Sequence, residues 1–434
     1  MREIAVCSVA TKSHLARARV LAESCRSHHP SVPLFLLLVD RIDGSFDPAQ
    51  EPFTTLCVED LDLEDWHSLA FRYPQLDLAS ALKPLLLRRL FESFGPRKIL
   101  YLDTDALVTG SLEPVFDLLD RHPVVLTPHL LDPVADGATD REVVILRSGA
   151  YNGGLVGVSD LPEAHAFLDW WSARCRDDCL DRQIDAGYPD QRWLDLAPGM
   201  FPGVHIARDP GLNVAYWNVG ERRFEWGGQP TVNGVPVRFF HFSAFPYDGG
   251  ERLSLHLIAD ALDAHPELVP LFAEYRRRLE QCGHDTCRDW PYAFGCFDNG
   301  VPITQCARDC YQELEAGERR RFGDPREAGS PDSFWCWMNS SADAASDGGS
   351  RATRVGEAVW RRVAALRRGP AAPRYVSRLM YFFYQQQPQL RRRFPQPLGQ
   401  DRDALLRWFG RHGAECAATY ADQQRGESGA GALG

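Results

Sequence analysis

Lys98-Ile99-Leu100-Tyr101-Leu102-Asp103-Thr104-Asp105 is an apolar run that stops at two carboxylates one residue apart. A buried strand needs no acid at its end, and two acids so close repel each other. In an extended or turning backbone, residues i and i+2 share a face. Both carboxylates therefore point the same way and can grip one hard cation by their oxygens. The bare triplet arises easily by chance in a chain with 59 acidic residues. Its weight comes from its setting, after Ile-Leu-Tyr-Leu and before Ala106-Leu107-Val108 and the turn Thr109-Gly110-Ser111.

Working outward, about a hundred residues of alternating strand and helix precede the acid pair. Residues 3–9, 33–39 and 54–58 read as strands. Ser13 to His28 has helical spacing, with Leu15, Ala18, Leu21 and Ala22 on one face, and 76–94 is a second amphipathic helix. A helix near 114–121 and a strand at 124–127 follow. Such alternation predicts an α/β fold with a largely parallel sheet and helices on both faces. Ligands of such sheets bind at the carboxyl ends of the strands, where Thr11, Asp103 and Asp105 all fall. Further on, Tyr151-Asn152-Gly153-Gly154 reads as a turn leading into the strand Leu155 to Val158. Leu161 to Arg176 reads as a helix. Asn233-Gly234 marks a tight hairpin, and the strand 237–240 ends at His241-Phe242-Ser243.

From about residue 256 the spacing turns helical. The expected division is 1–255 as a sheet domain, 256–422 as a helical accessory domain and 423–434 as a disordered tail. Helices are expected at 354–366, 374–393 and 402–420, and Ser341 to Arg351 is a small, polar loop. The length of 434 residues suits two domains. Apolar and charged shares of 44% and 25% are those of a soluble globular protein. A net charge of -11 argues against a nucleic-acid surface, which needs a basic stripe. The longest apolar runs are far too short to cross a bilayer, and no basic leader precedes the first strand. The 12 cysteines are scattered; Cys282, Cys287, Cys296, Cys306 and Cys310 match no standard zinc spacing. The expectation is a cytoplasmic protein with reduced thiols.

Residues 1–250 resemble a GT-A-type glycosyltransferase and are similar to glycosyltransferase family eight. The resemblance rests on landmarks in family order: the first strand and helix, the Asp-x-Asp strand, Asn152-Gly153-Gly154, the pair Asp190-Gln191, and His241 at the end of a late strand. It implies a Rossmann-like, mixed and mainly parallel sheet. It also implies transfer of a sugar from a nucleoside-diphosphate sugar, in the family commonly a UDP-sugar, with retention of anomeric configuration. The acceptor (glycan, lipid, protein or small molecule) is not readable from sequence.

What the resemblance implies for single residues is specific. Asp105 is the main ligand of Mn²⁺ or Mg²⁺, Asp103 shares the metal and meets the sugar or ribose, and His241 completes the set; mixed O and N ligation suits such ions. Lys83 contacts phosphate. Asn152, Asp190 and Gln191 face the donor sugar, with Gly153 allowing close backbone approach, and Thr11 meets the base. Plainer roles stand beside these: a core histidine at 241, a surface lysine at 83, an Asn-Gly turn at 152, an N-cap at 190. One departure stands out. The family continues past its late histidine to a lysine that meets the diphosphate, whereas here Ser243-Ala244-Phe245-Pro246-Tyr247 follows. The segments 290–303 and 387–395 resemble accessory regions of bacterial glycosyltransferases; Trp335 and Trp337, between them in sequence, read as core. Two other readings compete. A haloacid-dehalogenase phosphatase also places Asp-x-Asp after a strand, but needs a later lysine, and none follows Lys98. The other is a non-catalytic nucleotide-sugar-binding protein on the same fold.

Overall fold

The computed structural model describes residues 3–134, 139–178, 189–226, 229–248, 252–256, 262–342 and 375–413. The expected helix at 354–366, the tail 423–434 and most of the loop 341–351 lie outside the described residues.

The described chain forms two compact units, one of residues 3–62 and 75–292, the other of 63–74 and 293–413. In the first, β1 (Ile4–Ala10), β2 (Leu34–Leu38), β3 (Thr54–Cys57) and β4 (Lys98–Leu102) pair in parallel in the order β3-β2-β1-β4. β5 (Ala106–Val108) leaves this sheet. β6 (Val124–Pro128) and β4 flank the antiparallel β7 (Tyr151–Ser159), and β8 (Val204–Ile206) lies parallel to β6 at the edge. The result is the mixed, mainly parallel sheet expected from the sequence.

Every residue of β2 and β4 is buried, because parallel strands covered on both faces read as continuous apolar runs. On one face Val6, Leu34, Leu36, Leu100 and Leu102 join a core with Leu15 and Leu21 of α1 (Leu15–His28). Later in the chain, Val115 and Phe116 of the short helix Glu113–Leu119 complete that layer. The alternate side chains, Tyr101 among them, face α3 (Gln75–Phe94), which follows the short α2 (Trp66–Arg72) of the other unit.

One local expectation gives way and another holds. Asn152-Gly153-Gly154 is not a turn but part of β7, and the β6–β7 register jumps there, from Leu126 opposite Val156 to Thr127 opposite Asn152. Gly-Gly permits close approach as readily as turning, so the dipeptide is ambiguous. At 233–234 the hairpin is as expected: Asn233 and Gly234 carry φ of 49° and 79° between β10 (Pro230–Val232) and β11 (Val235–Pro236), beyond β9 (Phe224–Trp226).

The proposed boundary near 255 falls inside the first unit. The helix Val269–Gln281 buries Leu271, Phe272, Tyr275 and Leu279 in the sheet unit's core, and Tyr275 stacks on Phe242 at 3.8 Å. The second unit is helical. Phe71, Phe297, Tyr311, Phe334, Trp335, Phe383 and Leu405 share its core. Buried Arg308 donates to the carbonyls of Phe71 and, at 2.9 Å, Tyr73, which fastens the α2 segment. Among the described residues, no helix is long and apolar enough to cross a membrane.

Candidate active site

The acid pair occupies the point where β4 leaves the main sheet. β5 begins immediately after it and pairs antiparallel with β12 (Phe239–His241), Ala106 opposite His241. The Phe242 N–H then donates to the Asp105 carbonyl at 2.7 Å. This register carries His241 to the acids: its Nε2 lies 3.0 Å from Asp105 and 3.8 Å from Asp103. One donor atom from each of the three lies within 4.8 Å of the others. Two carboxylate oxygens and an imidazole nitrogen form a donor set suited to Mn²⁺ or Mg²⁺.

The surroundings fit that reading. His241 Nδ1 faces the Asn213 side-chain Oδ1 at 3.4 Å, which leaves Nε2 turned to the acids. Asn213 sits at φ 49°, a left-handed conformation that Asn tolerates. The opposite wall is Gly154, whose carbonyl accepts from the Asp103 N–H at 2.9 Å. A Cβ there would lie 2.5 Å from His241 Cε1, 2.7 Å from Asn152 Oδ1 and 2.8 Å from Asp103 Oδ2. Only glycine lets β7 pass this close to Asp103 and His241.

Charge balances across the site. Burial opposes the charged form of His241, yet the Asp105 charge and hydrogen bond hold its pKa above the ordinary imidazole value. Burial likewise opposes the Asp105 anion, but His241 and Arg17 hold its carboxyl well below the usual range. Lys83 of α3 lies 2.9 Å from Asp190 and 3.3 Å from Asp103, above the Tyr101 ring. Burial disfavours its charge, and the two carboxylates more than restore it. Tyr101 Oη donates to Asp103 at 2.7 Å.

A second layer fixes the bulge of β7. Gln191 Oε1 accepts from the Gly153 N–H at 2.8 Å and from Asn152 Nδ2 at 3.1 Å, while its Nε2 donates to the Ser148 carbonyl at 2.8 Å. Asn152 Oδ1 accepts from the Gly154 N–H at 2.9 Å. Its Nδ2 also reaches His129 Nε2 at 3.0 Å; burial lowers the His129 pKa to about 4, so this neutral ring accepts. Asp190 is no N-cap. It lies within the short helix Pro189–Trp193 and turns its carboxylate to Lys83.

The fold thus brings together Lys83, Asp103, Asp105, Asn152, Gly153, Asp190, Gln191 and His241, which are dispersed over 159 positions of sequence. Thr11 stands at the end of β1, bonded to His14 at 3.0 Å and to Gln75 at 2.7 Å. The sequence reading missed four neighbours: Tyr101, Arg17, His129 and Asn213. Tyr101 was within reach of strand alternation, since it shares a face with Asp103. The other three reach the site through long-range packing and left no local signal.

No family model matches the chain. Two proteins of Bacillus subtilis (strain 168) are similar to it in sequence. The uncharacterized protein YfnF is 26% identical over 251 residues, covering 56% of this chain and 81% of YfnF. The uncharacterized protein YfnD is 24% identical over 247 residues, covering 55% and 76%. Among solved structures, the galactosyltransferase LgtC, in complex with donor and acceptor sugar analogs, aligns at TM-score 0.37 and 16% identity over 66% of this chain and 97% of LgtC. The glycosyltransferase GlyE of Streptococcus pneumoniae TIGR4 aligns at 0.39 and 12%, over 68% and 67%. These neighbours are GT-A-type glycosyltransferases. At such scores the case for function rests on the site itself.

Proposed function

We propose that this protein is a metal-dependent glycosyltransferase that takes its sugar from a nucleoside-diphosphate sugar, a UDP-sugar by preference, and transfers it with retention. The observation that carries the reading is the convergence of Asp103, Asp105 and His241 within 4.8 Å, beside a buried lysine held by Asp103 and Asp190. A bound Mn²⁺ or Mg²⁺ would neutralise the departing diphosphate as a Lewis acid. Asp103, Asp105 and His241 would hold it.

The remaining roles belong to the chain. Lys83 supplies a fixed, desolvated positive charge where the leaving group gathers negative charge. Asp190 orients Lys83 and offers its carboxylate to donor-sugar hydroxyls. Asn152 and Gln191 spend their amides on the β7 bulge and so hold the floor on which the sugar rests. Retention is favoured because the three nearby carboxylates would each be committed to a cation: Asp190 to Lys83, and Asp103 and Asp105 to the metal they would hold. None stands ready as a base, which leaves the departing phosphate to take the acceptor's proton.

Calorimetry with UDP, GDP and ADP, each with and without Mn²⁺, tests this. One diphosphate should bind with the metal and not measurably without it. Absence of metal-dependent binding to all of them would overturn the assignment.

A further inference from the structure

Arg17 has a position that the reading above does not use. It lies in the first turn of α1, where no acidic residue accompanies it. A cation there works against the helix macrodipole, so helix stability gives no reason for it. Its side chain, 20% exposed, reaches toward the metal ligands, with Nη1 3.9 Å from Asp105 Oδ2. Among the described residues that single contact is loose, beyond hydrogen-bonding distance, so the five guanidinium donors are available to a further oxyanion.

Other basic groups near the acids are already engaged. Lys83 is buried and bridges Asp103 and Asp190. Lys12 is committed to Asp40 and Asp43. The stretch 242–248 after His241 contains no lysine or arginine. His14, next to Arg17, is neutral, its pKa lowered to about 4 by burial and by Arg17. A diphosphate held by one divalent ion among three carboxylates still leaves negative charge for a further cation to offset.

We propose that Arg17 is the second diphosphate-binding cation of this site, lying against Asp105 without the metal and turning to a phosphate oxygen once metal and nucleotide bind. This rests on the proposed function. A planar guanidinium takes phosphate by paired hydrogen bonds, and a charge on α1 meets the diphosphate from the side opposite Lys83 on α3.

The experiment compares wild type with Arg17→Ala, Arg17→Gln and Arg17→Lys by calorimetry. The probes are Mn²⁺ alone, the nucleoside diphosphate that wild type binds best, and its monophosphate. Arg17→Ala should weaken the diphosphate about 10- to 100-fold and the monophosphate clearly less. Binding of Mn²⁺ alone should stay equal or tighten, because a cation beside Asp105 has gone. Lysine should restore part of the diphosphate affinity, and glutamine little. If the alanine variant does not fold, the glutamine and lysine pair carries the same comparison. Unchanged diphosphate affinity would overturn the inference, as would an equal loss for Mn²⁺ alone, which would make Arg17 a support for Asp105. If wild type binds no diphosphate with metal, the proposed function falls and this inference with it.

Discussion

Both units of the chain bury charge, and they use it differently. In the helical unit, Arg308 is 6% exposed and donates to backbone carbonyls of its own unit. Arg326 is paired to Asp324 at 2.9 Å. These cations end on main chain, on an acid two residues away and, for Arg326, on His67 of α2 at 2.9 Å, and they close gaps. In the sheet unit Lys83, Asp103, Asp105, Asp190 and His241 come from four separate elements and converge at strand ends. Burying charge is costly in either place. Buried charge alone therefore does not mark a site; ligand atoms from distant elements converging on one point do.

The sharpest way to break this contrast is to remove the proposed central ligand. Asp105→Asn should lower affinity for the Mn²⁺–nucleotide pair by more than about a hundredfold. It should leave far-UV circular dichroism unchanged, because a carboxylate at a strand end does not hold the sheet. Transfer or binding within a few-fold of wild type at saturating Mn²⁺ would remove the metal from the site. The mirror experiment is Arg308→Ala. It orphans buried carbonyls and opens a cavity, and should cost about 3 kcal/mol in the helical unit. Hydrogen exchange should locate that loss in 63–74 and 293–312, with Mn²⁺–nucleotide affinity unchanged. A matching loss of affinity would mean that the units do not divide structure from chemistry.

Two smaller effects sharpen the picture of the sheet unit. Gly154→Ala places a methyl against His241, Asn152 and Asp103. It should cost about 1–3 kcal/mol in denaturant unfolding and weaken Mn²⁺ about tenfold. Wild-type Mn²⁺ affinity in this variant would show that β7 does not bound the metal site. The mildest effect is on pH. The raised pKa of His241 stabilises the metal-free protein fully below about 6.5, the value of an unfolded histidine. That contribution is lost as pH rises through the folded value. Metal needs the neutral ring, so Mn²⁺ affinity should rise over the same window and then level off. Metal-free Tm and Mn²⁺ affinity should thus move in opposite directions, and His241→Ala should abolish both trends.

Much of the first unit was legible in the sequence because its signals are local. Continuous apolar runs marked β1, β2 and β4, 3.6-residue spacing marked α1 and α3, and an acid pair at the end of an apolar run marked the candidate site. Even His241, which the fold carries to the acid pair, was recognisable as a strand-end histidine. The role of 152–154 was not, since an Asn-Gly-Gly string looks the same whether the chain turns or presses against a neighbour. Nor was the membership of 63–74, an ordinary amphipathic segment whose partner begins some 220 residues later.

By itself the sequence determined the fold class, the strand bearing the acids and the residue types able to bind a metal. Tertiary structure alone decided that Ala106 pairs with His241, that β7 bulges at Gly154, that Gln191 supports the bulge and that Arg17 stands over Asp105. Side-chain periodicity repeats within two to four residues and is written along the chain. Register between distant strands is set by which long-range pairing buries the most apolar surface with every backbone group bonded, and no short stretch of sequence carries that information.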